Sequence, residues 1–283
     1  MGPADDSLAD TGHALALRAD DAYERGDADA AIELYRRALA DGVDDVALRL
    51  GNLLAERGDV QEATAAYRHA IDRGDPVGWR NLALTVQDDD PAEAERCFTE
   101  AATGGDTRSR LLLGELLADL GRDDEAVRVL RLALDEGEGE AATTLGLLLL
   151  DRGEPAAAEE AFRRGVALDA PAVAPYLGVL LRDTGRGDDE VALYRSVLAH
   201  DPAAAAVLLN LGNVLAKGSR DDRAEAERAY RQAAANGLAE AFHNLGLLLE
   251  AEGREREARA AFEAGAAAGD ERAAGRLAEL TRP

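Results

Sequence analysis

Apolar residues along the chain fall three and four apart in short runs, and glycines with charged neighbours break those runs at regular intervals. Residues 241–270, AFHNLGLLLEAEGREREARAAFEAGAAAGD, show one full period. Leu245 and Gly246 sit in a first apolar run, Gly253 and a polar turn interrupt it, and Ala258, Phe262 and Gly265 space out a second. This spacing is that of an α-helix, and the glycine and charges end one helix and start the next. Each period is expected to be an αα-hairpin of about 32 residues. A unit that small cannot bury its own apolar face and becomes stable by stacking on neighbours.

A small residue in the middle of the first helix marks each copy: Ala19, Gly51, Ala83, Gly114, Gly146, Gly178, Gly212 and Gly246. A leucine precedes it in every copy but the first, where Arg18 stands. Further on, a large apolar side chain recurs as Tyr35, Tyr67, Phe98, Leu130, Phe162, Tyr194, Tyr230 and Phe262. A small residue comes four before most of these, with Glu190 in its place in the sixth copy. The hairpins are read at 12–43, 44–75, 76–106, 107–138, 139–170, 171–204, 205–238 and 239–270, as one elongated domain. A disordered tail is expected over 1–11 and a capping helix within 271–283. The small residues let helix axes approach, and the large side chain is expected to fill the gap between one unit and the next. Gly58-Asp59 reads as a helix end followed by an acid cap, and Asp90-Pro91 as a cap with proline in the first turn. Two extra residues in 217–226 are expected to swell the turn of the seventh copy.

Composition narrows the function. Aromatics are 4% of residues and β-branched runs are absent, which predicts an all-α chain. The formal charge is −24, from 56 acids and 32 bases, and Lys217 is the only lysine. Such a field repels nucleic acid and anionic membranes and draws basic partners over a Debye length of about 8 Å. The excess of arginine over lysine is read as compositional. Cys97 is the only cysteine, and His13, His69, His200 and His243 lie in different units, so neither a disulfide nor a metal site is expected. No phosphate-cradling glycine motif is present, no nucleophile has a base placed beside it, and neither an enzyme nor a cofactor is expected. The opening MGPADDSLADTG has no apolar core segment, so no secretory signal and a cytoplasmic location are expected.

The chain resembles the tetratricopeptide repeat family, whose leucine-glycine pair, alanine, aromatic and later small residue stand here, for example, as Leu50-Gly51, Ala63, Tyr67 and Ala70. The family's tryptophan occurs only as Trp79. Its closing proline occurs at Pro202 and is mostly replaced by Gly-Asp, as in Gly74-Asp75 and Gly269-Asp270, which with the short period leans toward Sel1-like repeats. The resemblance implies an α-solenoid, a right-handed superhelix of stacked αα-hairpins whose first helices line a concave groove. It also implies a groove that holds a peptide or an extended segment of another protein.

Two residue series are candidates for that role. Asparagine suits a helix interior poorly, yet Asn81, Asn210 and Asn244 stand two before the marker, and Asn52 and Asn213 one after it. Their amides can pair with the backbone of an extended peptide. The resemblance implies a clamp for a terminal carboxylate at Asn213, Asn244, Arg272 and Arg276, with Leu209 where a lysine would stand. A weaker match uses Asn52, Asn81 and Arg108, and Arg49 and Arg80 complete the candidate peptide contacts. Asn-Leu-Gly is also a common form of the repeat, so the row reads either as a ladder or as consensus. Five after the marker stand Glu24, Glu56, Asp88, Asp119, Asp151 and Asp183, read either as an acidic lip or as a solvated face of an acidic chain. The expected function is an interaction scaffold for a protein or peptide with a basic segment or a free C-terminal carboxylate, and self-association stays open. A ligand-responsive sensor and an accessory subunit of an enzyme complex are the alternatives.

Overall fold

The structure, a computed structural model, describes residues 11–280. The tail expected over 1–11 lies outside these except for Thr11, whose hydroxyl accepts from the Ala14 amide and caps the first helix. Among the described residues every regular element is helical. The eight hairpins are α1 (Gly12–Glu24) with α2 (Ala28–Ala40), α3 (Ala47–Arg57) with α4 (Val60–Asp72), α5 (Val77–Val86) with α6 (Pro91–Thr103), and α7 (Thr107–Asp119) with α8 (Asp123–Asp135). They continue with α9 (Ala141–Asp151) and α10 (Pro155–Ala167), α11 (Ala174–Asp183) and α12 (Gly187–His200), α13 (Ala205–Leu215) and α14 (Arg220–Ala235), and α15 (Glu240–Ala251) and α16 (Glu255–Ala267). A last helix, α17 (Glu271–Leu280), packs on α16 and α15 with Ala273 buried. The hairpins group into two compact units, Met1–Glu136 and Gly137–Pro283, each an α-solenoid of stacked hairpins.

Glycine makes the turns sharp. Gly26, Gly58, Gly121, Gly153, Gly185 and Gly253 sit inside hairpins with φ between 70° and 88°, a left-handed conformation that costs a residue without Cβ nothing. Between hairpins the same conformation recurs at Gly42, Gly74, Gly105, Gly137, Gly237 and Gly269, and at Asp169 with φ 57°. Asp90 caps α6 as expected, accepting from the Glu93 amide at 2.9 Å. Asp59 does not cap α4: Arg57 holds its carboxylate. The two extra residues of the seventh copy lengthen α14 to 16 residues instead of swelling the turn. Ser219 and Asp222 form a reciprocal capping box, at 3.2 and 2.8 Å, that starts this helix directly after Gly218.

The marker glycine has a more local partner than its spacing predicts. A Cβ on Gly51 would lie 2.5 Å from the Tyr67 ring, one on Gly146 2.2 Å from Phe162, and one on Gly246 2.4 Å from Phe262. Each large side chain thus lies against the glycine of its own hairpin. Phe162 also reaches the next hairpin, stacked on Tyr176 with ring centroids 6.0 Å apart.

Arginines lace the second helices together. Arg122, directly after Gly121, bonds both Glu125 oxygens at 2.8 Å and reaches back to Glu95 at 2.5 Å. In the second unit Arg186 joins Asp189 at 2.8 Å to Glu159 at 2.7 Å, and Arg254 joins Glu257 and Glu227, both at 2.7 Å. A guanidinium holds two carboxylates in one plane and an ammonium does not, which gives the arginine bias a structural use.

Candidate binding face of the first helices

Asn52 and Asn81 meet on the first-helix face of the first unit. The Asn52 oxygen accepts from the Tyr67 hydroxyl at 3.0 Å and from the Asn81 amide at 2.9 Å. The second unit repeats the node: the Asn213 oxygen accepts from Tyr230 at 2.9 Å and from Asn244 at 2.8 Å. A third version uses charge. The Asp20 carboxylate accepts from the Tyr35 hydroxyl and pairs with Arg49 at 3.2 Å, and the Arg49 guanidinium lies 5.6 Å from the Tyr35 ring centroid. Burial, with Asp20 next to it, pushes the Tyr35 hydroxyl pKa well above its ordinary value.

Neither Asp20 nor the tyrosines stood among the candidates, although a signal for them exists. Asp20, Asn52 and Asn213, each one after the marker, coincide with tyrosine as the large residue of the same copy, whereas Glu115 of the fourth copy stands with Leu130. Leu84, Leu147 and Leu247 coincide with phenylalanine. Tyr194 follows Val179 instead, and its hydroxyl finds Glu190 at 3.3 Å. The odd acid of the sixth copy therefore serves a tyrosine that has no polar partner on its own first helix.

The candidate arginines are occupied. Arg80 pairs with Asp106 at 2.7 Å and Arg272 with Glu240 at 2.9 Å. Arg276 holds Glu250 at 2.5 Å and Glu279 at 2.7 Å. Arg108 lies exposed in the first turn of α7, and Asn210 is half-buried in α13. Any carboxylate entering beside Asn213 and Asn244 would meet arginines already neutralised by three glutamates.

The acidic series is different. Glu24, Glu56, Asp88, Asp119, Asp151 and Asp183 are all exposed, and none forms an ion pair with an arginine, histidine or lysine of the described chain. Four belong to the first unit and two to the second. Glu24 and Glu56 border a cavity of about 410 Å³ on the first-helix face. Apolar groups share that face: Leu84 in the first unit, and Leu147, Tyr176, Val179 and Leu247 in the second, are 40% exposed or more.

Cys97 is buried beside Phe98, and burial pushes its thiol up to about 11, so the thiolate is scarce at neutral pH. Among the described residues no group of histidine, cysteine and acid side chains could hold a metal ion, and no helix is long and apolar enough to cross a membrane.

Tetratricopeptide-repeat profiles match residues 17–77, 86–141, 143–199 and 239–266. A search of curated proteins found no match. The crystal structure of a Sel1 repeat protein from Oxalobacter formigenes superposes with a TM-score of 0.67 at 22% identity, over 95% of this chain and 87% of that one. Yeast Tom70 superposes with a TM-score of 0.63 at 16% identity, over 98% of this chain and 64% of that one. At these identities the likeness carries the fold alone. Profile matches over most of the chain, together with a helical hairpin in every matched segment, place this protein in the tetratricopeptide repeat family.

Proposed function

We propose that the chain is a non-enzymatic scaffold whose first-helix faces hold basic, extended segments of a partner protein. Repeat proteins of this family generally serve as protein-protein interaction scaffolds. The observation that carries the finer reading is the set of six exposed carboxylates, one in each of the first six hairpins, that pair with no cation among the described residues, in a chain whose second-helix acids are bridged by arginines. A basic partner supplies the missing charge, and the exposed leucines and aromatics beside the carboxylates suit its apolar side chains. A free terminal carboxylate is the less favoured occupant, because Glu240, Glu250 and Glu279 already hold Arg272 and Arg276.

The test is anisotropy of a labelled nine-residue arginine-leucine peptide against three proteins. These are the native chain, a variant with all six acids changed to amides, and a control with six second-helix acids changed, among them Asp72, Glu100 and Glu160. The expected result is binding that weakens as salt rises and is lost in the first variant but kept in the control. Equal loss in both variants, or no loss in either, overturns the reading.

A further inference from the structure

The cavity in the first unit is lined by two acid-and-aromatic groups. Asp20 and Tyr35 form a seat that Arg49 fills, bonded to the carboxylate at 3.2 Å with its guanidinium carbon 5.6 Å from the ring centre. Tyr23, 53% exposed, with Glu24 and Glu56, makes up the second group. Among the described residues no arginine or lysine pairs with either glutamate. With Arg49 balanced by Asp20, the cavity keeps two negative charges beside an exposed aromatic ring. Leu53 gives it an apolar floor.

We propose that this second group receives the side chain of an arginine from the partner, its guanidinium stacked on Tyr23 and bonded to Glu24 and Glu56. This rests on the reading of the first-helix face as a site for basic segments, and names the side chain that anchors such a segment in the first unit. Charge and shape select the ligand class. A planar cation with forked donors can satisfy two carboxylates while lying on a ring face, whereas an ammonium is a strongly hydrated point charge. The protein already seats a guanidinium against a ring and a carboxylate in the same cavity, at Arg49.

The experiment titrates the intact chain with N-acetyl-arginine N-methylamide, and with its lysine and citrulline counterparts, while the Tyr23 ring resonances are followed by NMR. Citrulline keeps the shape and hydrogen-bonding plane but not the charge. A saturable shift of Tyr23 is expected with the arginine derivative, a weaker one with lysine and none with citrulline. In E24Q/E56Q the arginine affinity is expected to fall about tenfold or more, while E100Q/E160Q, at two exposed second-helix acids, leaves it unchanged. Tyr23→Leu separates stacking from charge and is expected to narrow the arginine-over-lysine preference. The inference is overturned by citrulline binding as well as arginine, by E24Q/E56Q having no effect, or by no saturable shift of Tyr23. If the arginine-leucine peptide still binds E24Q/E56Q at native strength but not the six-amide variant, the pocket assignment fails and the broader reading stands. Peptide binding indifferent to all six amides removes the broader reading itself.

Discussion

The hydroxyl of Tyr67 donates to the side-chain oxygen of Asn52 at 3.0 Å, across the two helices of one hairpin. Tyr230 and Asn213 do the same in the second unit at 2.9 Å. Three other copies place leucine and phenylalanine at these positions, so the chain contains both a polar and an apolar solution to one packing problem. Asn52→Leu alone strands a part-buried hydroxyl and is expected to cost about 1–3 kcal/mol. Adding Tyr67→Phe recreates the Leu147-Phe162 arrangement and is expected to recover most of that loss. Urea unfolding of the two single variants and the double variant gives the coupling, and additive losses would refute it.

Gly146→Ala should be among the most damaging single-methyl additions in the protein. Its Cβ would stand 2.2 Å from the Phe162 ring, which is itself fully buried and cannot retreat without moving α10. Overpacking of this kind costs about 1–3 kcal/mol. A thermal melt within experimental error of the native chain would show that the hairpin yields more easily than its geometry implies.

Glu190 makes stability depend on pH with an unusual sign. It is 1% exposed, one oxygen faces the Tyr194 hydroxyl and Arg182, and the other has no hydrogen-bond partner. Burial raises its pKa above the ordinary carboxylate value, against the opposing pull of Arg182. The folded chain therefore holds this proton more tightly than the unfolded chain does, and stability falls as pH rises through the interval above the unfolded value of about 4.3. Glu190→Gln is expected to be more stable than the native chain at pH 7, with the gap closing at acid pH. Urea midpoints measured at both pH values decide it, and a variant less stable at pH 7 refutes the sign.

Asp169 occupies, with φ 57°, a left-handed seat between hairpins that glycine fills at Gly42, Gly74, Gly105, Gly137, Gly237 and Gly269. Replacing it with glycine removes a strained conformation of an L-residue and is expected to raise stability by about 1 kcal/mol. An unchanged or lowered melting temperature would mean that the Asp169 side chain contributes more than its backbone costs.

The residues of the candidate face divide by what each needs. The positions of Asn52, Asn81, Asn213 and Asn244 on first helices follow from the period, because a helix of 3.6 residues per turn fixes which side chains share a face. Their pairing with Tyr67 and Tyr230 does not, since it joins two helices whose approach distance is set by what packs between them. The acidic series is legible as a series. That it lacks counter-ions among the described residues, while Glu227 and Glu159 are each gripped by an arginine from the next hairpin, is a fact about distances between hairpins.

From the amino-acid order alone came the helical repeat, its marker glycines and recurring large side chains, and the class of fold, because each depends on spacing within about 32 residues and on backbone preferences that are local. Packing decided the rest. It set Phe162 against its own Gly146, spent the insertion near Gly218 on a longer helix, committed Arg272 and Arg276 to glutamates, and left Glu24 and Glu56 lining one cavity with Tyr23 and paired with no cation among the described residues. A charged side chain several bonds long can reach more than one partner, and only the assembled helices determine which one lies within about 3 Å.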